Sequence, residues 1–154
     1  MSAIQKWFKL PSLERRLVLR ALPLVVSVRI GLWVLPWRWS LALTRRLSVA
    51  RERRAPGTVY EVVQAVVRAA GRVPRATCLT RAIATSVMLG RRGMPALIRF
   101  GVARDAGGRF IAHAWVESEG RIVVGGTTSP RRYASFPAVA VSEGVSGGAV
   151  ARTC

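Results

Sequence analysis

Two side chains in this sequence could act together as a thiol–imidazole pair. Cys78 stands at the start of a helix-like run, and His113, the one histidine, lies further on in an apolar stretch with the alternation of a strand. A thiol attacks as its thiolate, and the positive end of a helix dipole favours an anion in the first turn. Arg75 and Arg81 add positive charge close by in sequence. A histidine on a strand facing that helix can take or share the thiol proton, as nucleophilic thiol catalysis requires. Residue types and spacing alone leave a second reading open, since a small Cys in a helix and a lone His are both common structural residues. The second thiol, Cys154, reads as incidental.

The elements that must position this pair follow from caps and periodicity. Thr77 starts a helix from about Cys78 to Leu89, with Leu79, Ala82, Ile83, Ser86 and Val87 on one narrow face and Gly90 and Gly93 at its end. Before it, Thr58 and Glu61 make a capping box, and Val59, Val62, Val63, Val66 and Val67 give that helix an apolar side until Gly71 and Pro74. Strand signals then cover Ala96 to Val102, Arg109 to Ser118 and Arg121 to Val124, joined by Asp105-Ala106-Gly107-Gly108 and Glu119-Gly120. Helices followed by an antiparallel meander read as α+β.

Three regions are expected: 1–54, a helical region; 55–141, the core; and 142–154, a flexible tail. In the first, Leu13, Leu17, Leu24, Val28, Leu32 and Leu35 recur at helical spacings, with Ser12 as an N-cap. Pro23 and Pro36 should interrupt or restart the helices. Trp33, Trp37 and Trp39 cluster near Pro36. They fit either a partner-docking or membrane-interface unit or a helical hairpin packed on the core. After Gly125 the pattern fades, with a docked segment expected near Tyr133–Phe136.

The chain has 154 residues, 51% of them hydrophobic, and a positive mean hydropathy. These values exclude a wholly disordered chain and suit one domain with a real core. No run of 18 residues is free of charge, which argues against an ordinary membrane span. Lys and Arg number 25 against 7 Asp and Glu, a net charge of +18. Such a surface attracts polyanions and acidic peptides without specifying nucleic acid. Two cysteines are too few for a disulfide scaffold and lack zinc-site spacing, and no signal-peptide pattern opens the chain. The expected compartment is the cytoplasm, with reduced thiols.

The run Cys78-Leu79-Thr80-Arg81-Ala82, then Arg91-Arg92-Gly93-Met94-Pro95-Ala96, then His113-Ala114-Trp115-Val116-Glu117 resembles the transglutaminase-like cysteine peptidases. More narrowly it is similar to the stand-alone leader peptidase of lasso peptide biosynthesis. Ser12-Leu13-Glu14-Arg15-Arg16 and Gly31-Leu32-Trp33-Val34-Leu35-Pro36 extend the resemblance, which covers about residues 8 to 128. It implies a transglutaminase/papain-like core, a Cys-bearing helix packed on a small antiparallel sheet bearing His, with an N-terminal helical extension. It implies Cys78 as nucleophile and His113 as general base and acid, with no metal or organic cofactor. The implied substrate is a ribosomally made precursor peptide, presented by a separate leader-recognition protein and passed on to a separate cyclase, itself a potential partner.

The resemblance also implies an acid about a dozen residues after the histidine, on the next strand. A two-residue hairpin at Glu119-Gly120 pairs Ser118 with Arg121, Val116 with Val123, Ala114 with Gly125 and His113 with Gly126, which puts glycine where the acid is expected. Glu117 shares the face of His113 but lies about 13 Å along the strand, and Asp105 reads as a turn former. The acceptor for His113 is then a backbone carbonyl, water, Thr127, Thr128 or a partner protein, and Gly125→Asp is the substitution that would restore an acid. The backbone N–H of Cys78 is the expected oxyanion donor. Trp115 reads either as a wall of the site or as a core residue. Arg72, Arg75, Arg81, Arg91, Arg92 and Arg99 read either as a basic rim for an acidic peptide or as a solvated face.

The leading expectation is therefore a cytoplasmic thiol peptidase acting on a lasso precursor. Two alternatives remain. One is a non-catalytic basic module binding nucleic acid or an anionic membrane surface, although no nucleic-acid motif is present. The other is a transglutaminase-like amide transferase, which would form the same thioester.

Overall fold

The computed structural model describes residues 11–34, 36–48, 56–126, 133–135 and 139–142. Among them, four helices precede a sheet: α1 (Ser12–Val34), α2 (Trp37–Leu47), α3 (Val59–Ala70) and α4 (Cys78–Arg91). The strands are β1 (Ala96–Arg104), β2 (Phe110–Ser118), β3 (Arg121–Val124), β4 (Ala134–Ser135) and β5 (Val139–Ser142). The expected tail after 142, Cys154, Thr127, Thr128 and Phe136 lie outside the described residues.

The α3 and α4 starts are the ones their caps announce. The Thr58 hydroxyl accepts from the Glu61 N–H at 3.3 Å, and the Thr58 N–H donates to Glu61 Oε2 at 2.7 Å. At α4 the Thr77 hydroxyl accepts from the Thr80 N–H at 3.3 Å, which leaves Cys78 as the first helical residue. Each such cap is worth about 1 kcal/mol. At α1, Ser12 is itself the first helical residue, and the Pro11 carbonyl accepts from the Arg15 N–H.

One expected break is absent. α1 runs through Pro23 without interruption. A proline removes the bond to the carbonyl four residues back, here that of Leu19. Pro23 and Leu19 are both exposed, so water can satisfy that group. On the other side Leu17, Val18, Ala21 and Val25 are buried where α1 packs on α3 and α4, and they hold both halves of the helix in line. Pro36, by contrast, adopts an extended conformation and separates α1 from α2. By length and composition alone α1 could cross a membrane.

All five strands join in one antiparallel sheet in the order β3-β2-β1, with β4 and β5 both on the far edge of β1. One sheet face contributes Ile98, Ala114, Val116 and Val124 to a core completed by α1, α3 and α4, including Leu17, Val62, Val66 and Leu89. Full burial of such a side chain stabilises by roughly 1.5–3 kcal/mol. Arg68 of α3 also donates to Glu14 of α1.

The β2–β3 hairpin turns at Glu119 and Gly120, both with positive φ (50° and 74°), the geometry of a type I′ turn. Ser118 pairs with Arg121 and Glu117 with Ile122. A bulge then inserts one residue, so Val116 pairs with Val124 and not with Val123. The hairpin expectation therefore holds for two pairs and fails beyond them, because a bulge places two residues opposite one.

Candidate active site

Cys78 opens α4, half-buried and packed against the core. The first N–H groups of a helix have no intrahelical acceptor. In α4 Thr77 takes the N–H of Thr80, which leaves those of Cys78 and Leu79 suited to stabilising a developing oxyanion.

His113 lies in the middle of β2, paired with Gly101 of β1. Ala114 and Val116 point into the core, so alternation turns His113, Trp115 and Glu117 to the other face. There the Nε2 of His113 is 2.7 Å from the carbonyl oxygen of Gly125. A carbonyl only accepts, so this contact requires the proton on Nε2 and leaves the lone pair on Nδ1. Of the acceptors the sequence left open, this carbonyl is the one present among the described residues.

Two rings fix the plane of the imidazole. Tyr133 stacks on it at 5.3 Å between centroids and 27° between planes, and Trp115 at 6.3 Å and 21°. Trp115 is 1% exposed. Its indole N–H donates to Glu117 Oε1 at 3.1 Å, and Arg99 Nε donates to Glu117 Oε2 at 3.0 Å. Glu117 thus holds the tryptophan beside His113 and not His113 itself. Asp105 serves the β1–β2 turn, its Oδ1 accepting from the N–H groups of Gly107 and Arg109 at 2.9 Å each. No carboxylate among the described residues bonds to His113.

The glycine at 125 has a steric reason. Its φ is +106°, and a Cβ there would lie 2.4 Å from Trp115 Cβ and 2.9 Å from Trp115 Cα. Gly125→Asp therefore cannot install an acid without displacing Trp115. At Gly101 a Cβ would meet Tyr133 Cβ at 2.7 Å and the Trp115 ring at 3.1 Å. Both glycines let backbone approach the ring cluster that carries His113.

α4 packs on β2, on the core face that carries Ala114 and Val116, whereas His113 turns to the other face. Among the described residues no hydrogen bond joins Cys78 to His113. Such contacts in substrate-free sites are often long and tighten with substrate.

The six arginines do not form one rim. Arg72, Arg75 and Arg81 are exposed near the start of α4. Arg91 and Arg92 stand at its other end, about 20 Å away at 1.5 Å per residue. Arg91 donates to the Leu47 carbonyl at the end of α2, and Arg92 is buried with a bond to the Met88 carbonyl. Arg99 is paired with Glu117. Helical rise separates residues that seem crowded in sequence. Conversely, sequence reasoning did not bring Tyr133 or Gly101 to the histidine. The one signal was Tyr133 itself, an aromatic anchor in a polar stretch.

A family model described as the transglutaminase-like superfamily matches residues 22–139, most of the chain. No curated protein and no solved structure matches it.

Proposed function

The chain belongs to the transglutaminase-like superfamily, and on that premise we propose that it is a cysteine peptidase removing the leader from a lasso-peptide precursor. The observation that carries the catalytic reading is the carbonyl of Gly125 on His113 Nε2, which leaves Nδ1 as the base. Nδ1 takes the thiol proton as Cys78 Sγ attacks the scissile carbonyl carbon. The oxyanion forms against the N–H groups opening α4, and the protonated imidazole passes its proton to the leaving amine. The C–N bond breaks and a thioester remains. Water, deprotonated by Nδ1, attacks the thioester, releasing a carboxylic acid and restoring the thiol. Stacking by Tyr133 and Trp115 orients the ring where the described residues supply no carboxylate partner.

The lasso-precursor substrate, the separate leader-recognition protein, the cyclase and the cytoplasmic setting come from the motif resemblance and belong to this proposal. The test is mass spectrometry of a precursor incubated with this protein and its leader-binding partner, with wild type and Cys78→Ala side by side. A single cut that needs Cys78 and the partner is the expected result. Intact precursor in both reactions, with the protein folded, overturns it. The superfamily accommodates hydrolases and amide transferases alike. A fragment mass raised by an amine in place of water would assign transfer.

A further inference from the structure

The end of the α1–α2 pair exposes what a folded surface usually hides. Trp33 and Trp39 are 82% and 62% exposed, and Ile30 and Val34 are 54% and 69% exposed. Trp39 and Leu43 share one side of α2 at i and i+4. Leu43 continues inward into an apolar crevice of about 70 Å³, lined also by Leu24, Val28, Leu32 and Leu47. Cations flank the patch: Arg45 and Arg46 are exposed in the last turn of α2, and Arg29 lies one residue from Ile30. The only acid in the described parts of these helices is Glu14, near the other end of α1 and paired with Arg68.

We propose that this tip docks on an anionic lipid bilayer. Tryptophan side chains sit at headgroup level, aliphatic ones reach the acyl boundary, and arginines meet lipid phosphates. Charge complementarity selects this occupant. A second copy would bring two surfaces of a +18 chain together, and nucleic acid gives aliphatic Ile30 and Val34 nothing to pack on. Docking, not spanning, follows from the other side of α1, where Leu17, Val18, Ala21 and Val25 are already buried. The inference does not depend on the peptidase reading.

The test is co-sedimentation of the full chain with vesicles of phosphatidylcholine alone and with about one-third phosphatidylglycerol, at about 0.15 M salt, where charges beyond about 8 Å are screened. Binding to the anionic vesicles only is expected. Trp33→Ser/Trp39→Ser, which keeps every charge, should weaken it at least about tenfold, and Arg45→Ala/Arg46→Ala should do so by roughly 25-fold, about fivefold per arginine. Unchanged far-UV circular dichroism controls for folding. Should the serine pair misfold, Trp33→Phe/Trp39→Phe serves instead: it should keep binding and lose the share of quenching by brominated acyl chains that these two of the five tryptophans carry. Undiminished binding by the serine pair (adsorption by charge alone), no binding to anionic vesicles, undiminished quenching in the phenylalanine pair, or a wild-type dimer that the tryptophan variants dissolve would each overturn the proposal.

Discussion

At His113 one acceptor decides which ring nitrogen is basic. This can be read without any substrate, because the chain has a single histidine. Long-range ¹H–¹⁵N spectra of the neutral ring should show a protonated Nε2 and a bare Nδ1; the opposite pattern would remove Gly125 as the partner. The glycines that follow β3 respond unequally to substitution. Gly125→Asp should destabilise by about 3 kcal/mol or more, since its side chain collides with Trp115. Gly126→Asp points into open space and should cost only about 1 kcal/mol for its positive φ. Urea unfolding measures both, and a similar loss at the two positions would contradict the clash. Glu117→Ala leaves the buried Trp115 N–H without its acceptor, at a cost of about 1–3 kcal/mol. The imidazole resonances should shift with it, because Trp115 stacks on that ring. At this scale Cys78 and His113 stand out as candidates in the sequence because thiol and imidazole are rare here. The carbonyl that orients the ring could not, because every residue carries one.

Helix starts were readable because a cap is local: Thr58 with Glu61 and Thr77 with Thr80 use neighbouring residues only. The β1–β2–β3 meander and the Glu119-Gly120 turn were readable for the same reason, whereas β4 and β5, which reach β1 from far along the chain, were not. The bulge at Val116/Glu117 was not, since it is a response of β3 to its partner strand. Pro23 failed as a breaker because tertiary packing overrode local propensity. That gives a prediction at the level of the helix: Pro23→Ala should raise stability by about 1–3 kcal/mol, restoring the bond to the Leu19 carbonyl at an exposed interior site. A fall in the urea midpoint would mean that the proline sets the curvature α1 needs to pack. Thr77→Ala should cost about 1 kcal/mol. On the proposed peptidase reading it also lowers turnover of the precursor, since the same cap sets where the Cys78 N–H points.

Across the molecule, α1 shares one core with α3, α4 and the sheet, so removing residues 1–34 should not leave a folded remainder. The expected product lacks a cooperative urea transition and binds hydrophobic dye, because Val62, Val66 and Leu89 lose their cover. A cooperative transition would show that α1 is an appendage. The sheet has a feature of a different kind: its inner strand β1 receives partners made at very different times. Its pairing with β2 is local, whereas β4 and β5 come from residues 134–142. At about 5–20 residues per second, a ribosome needs roughly 2–7 s to go from the end of β1 to β5. During that interval β1 has an open edge and His113 lacks the ring of Tyr133. A nascent chain in which Cys78 and His113 have both emerged therefore still lacks the ring that orients the imidazole, so on the proposed peptidase reading the pair matures only once β4 has been made.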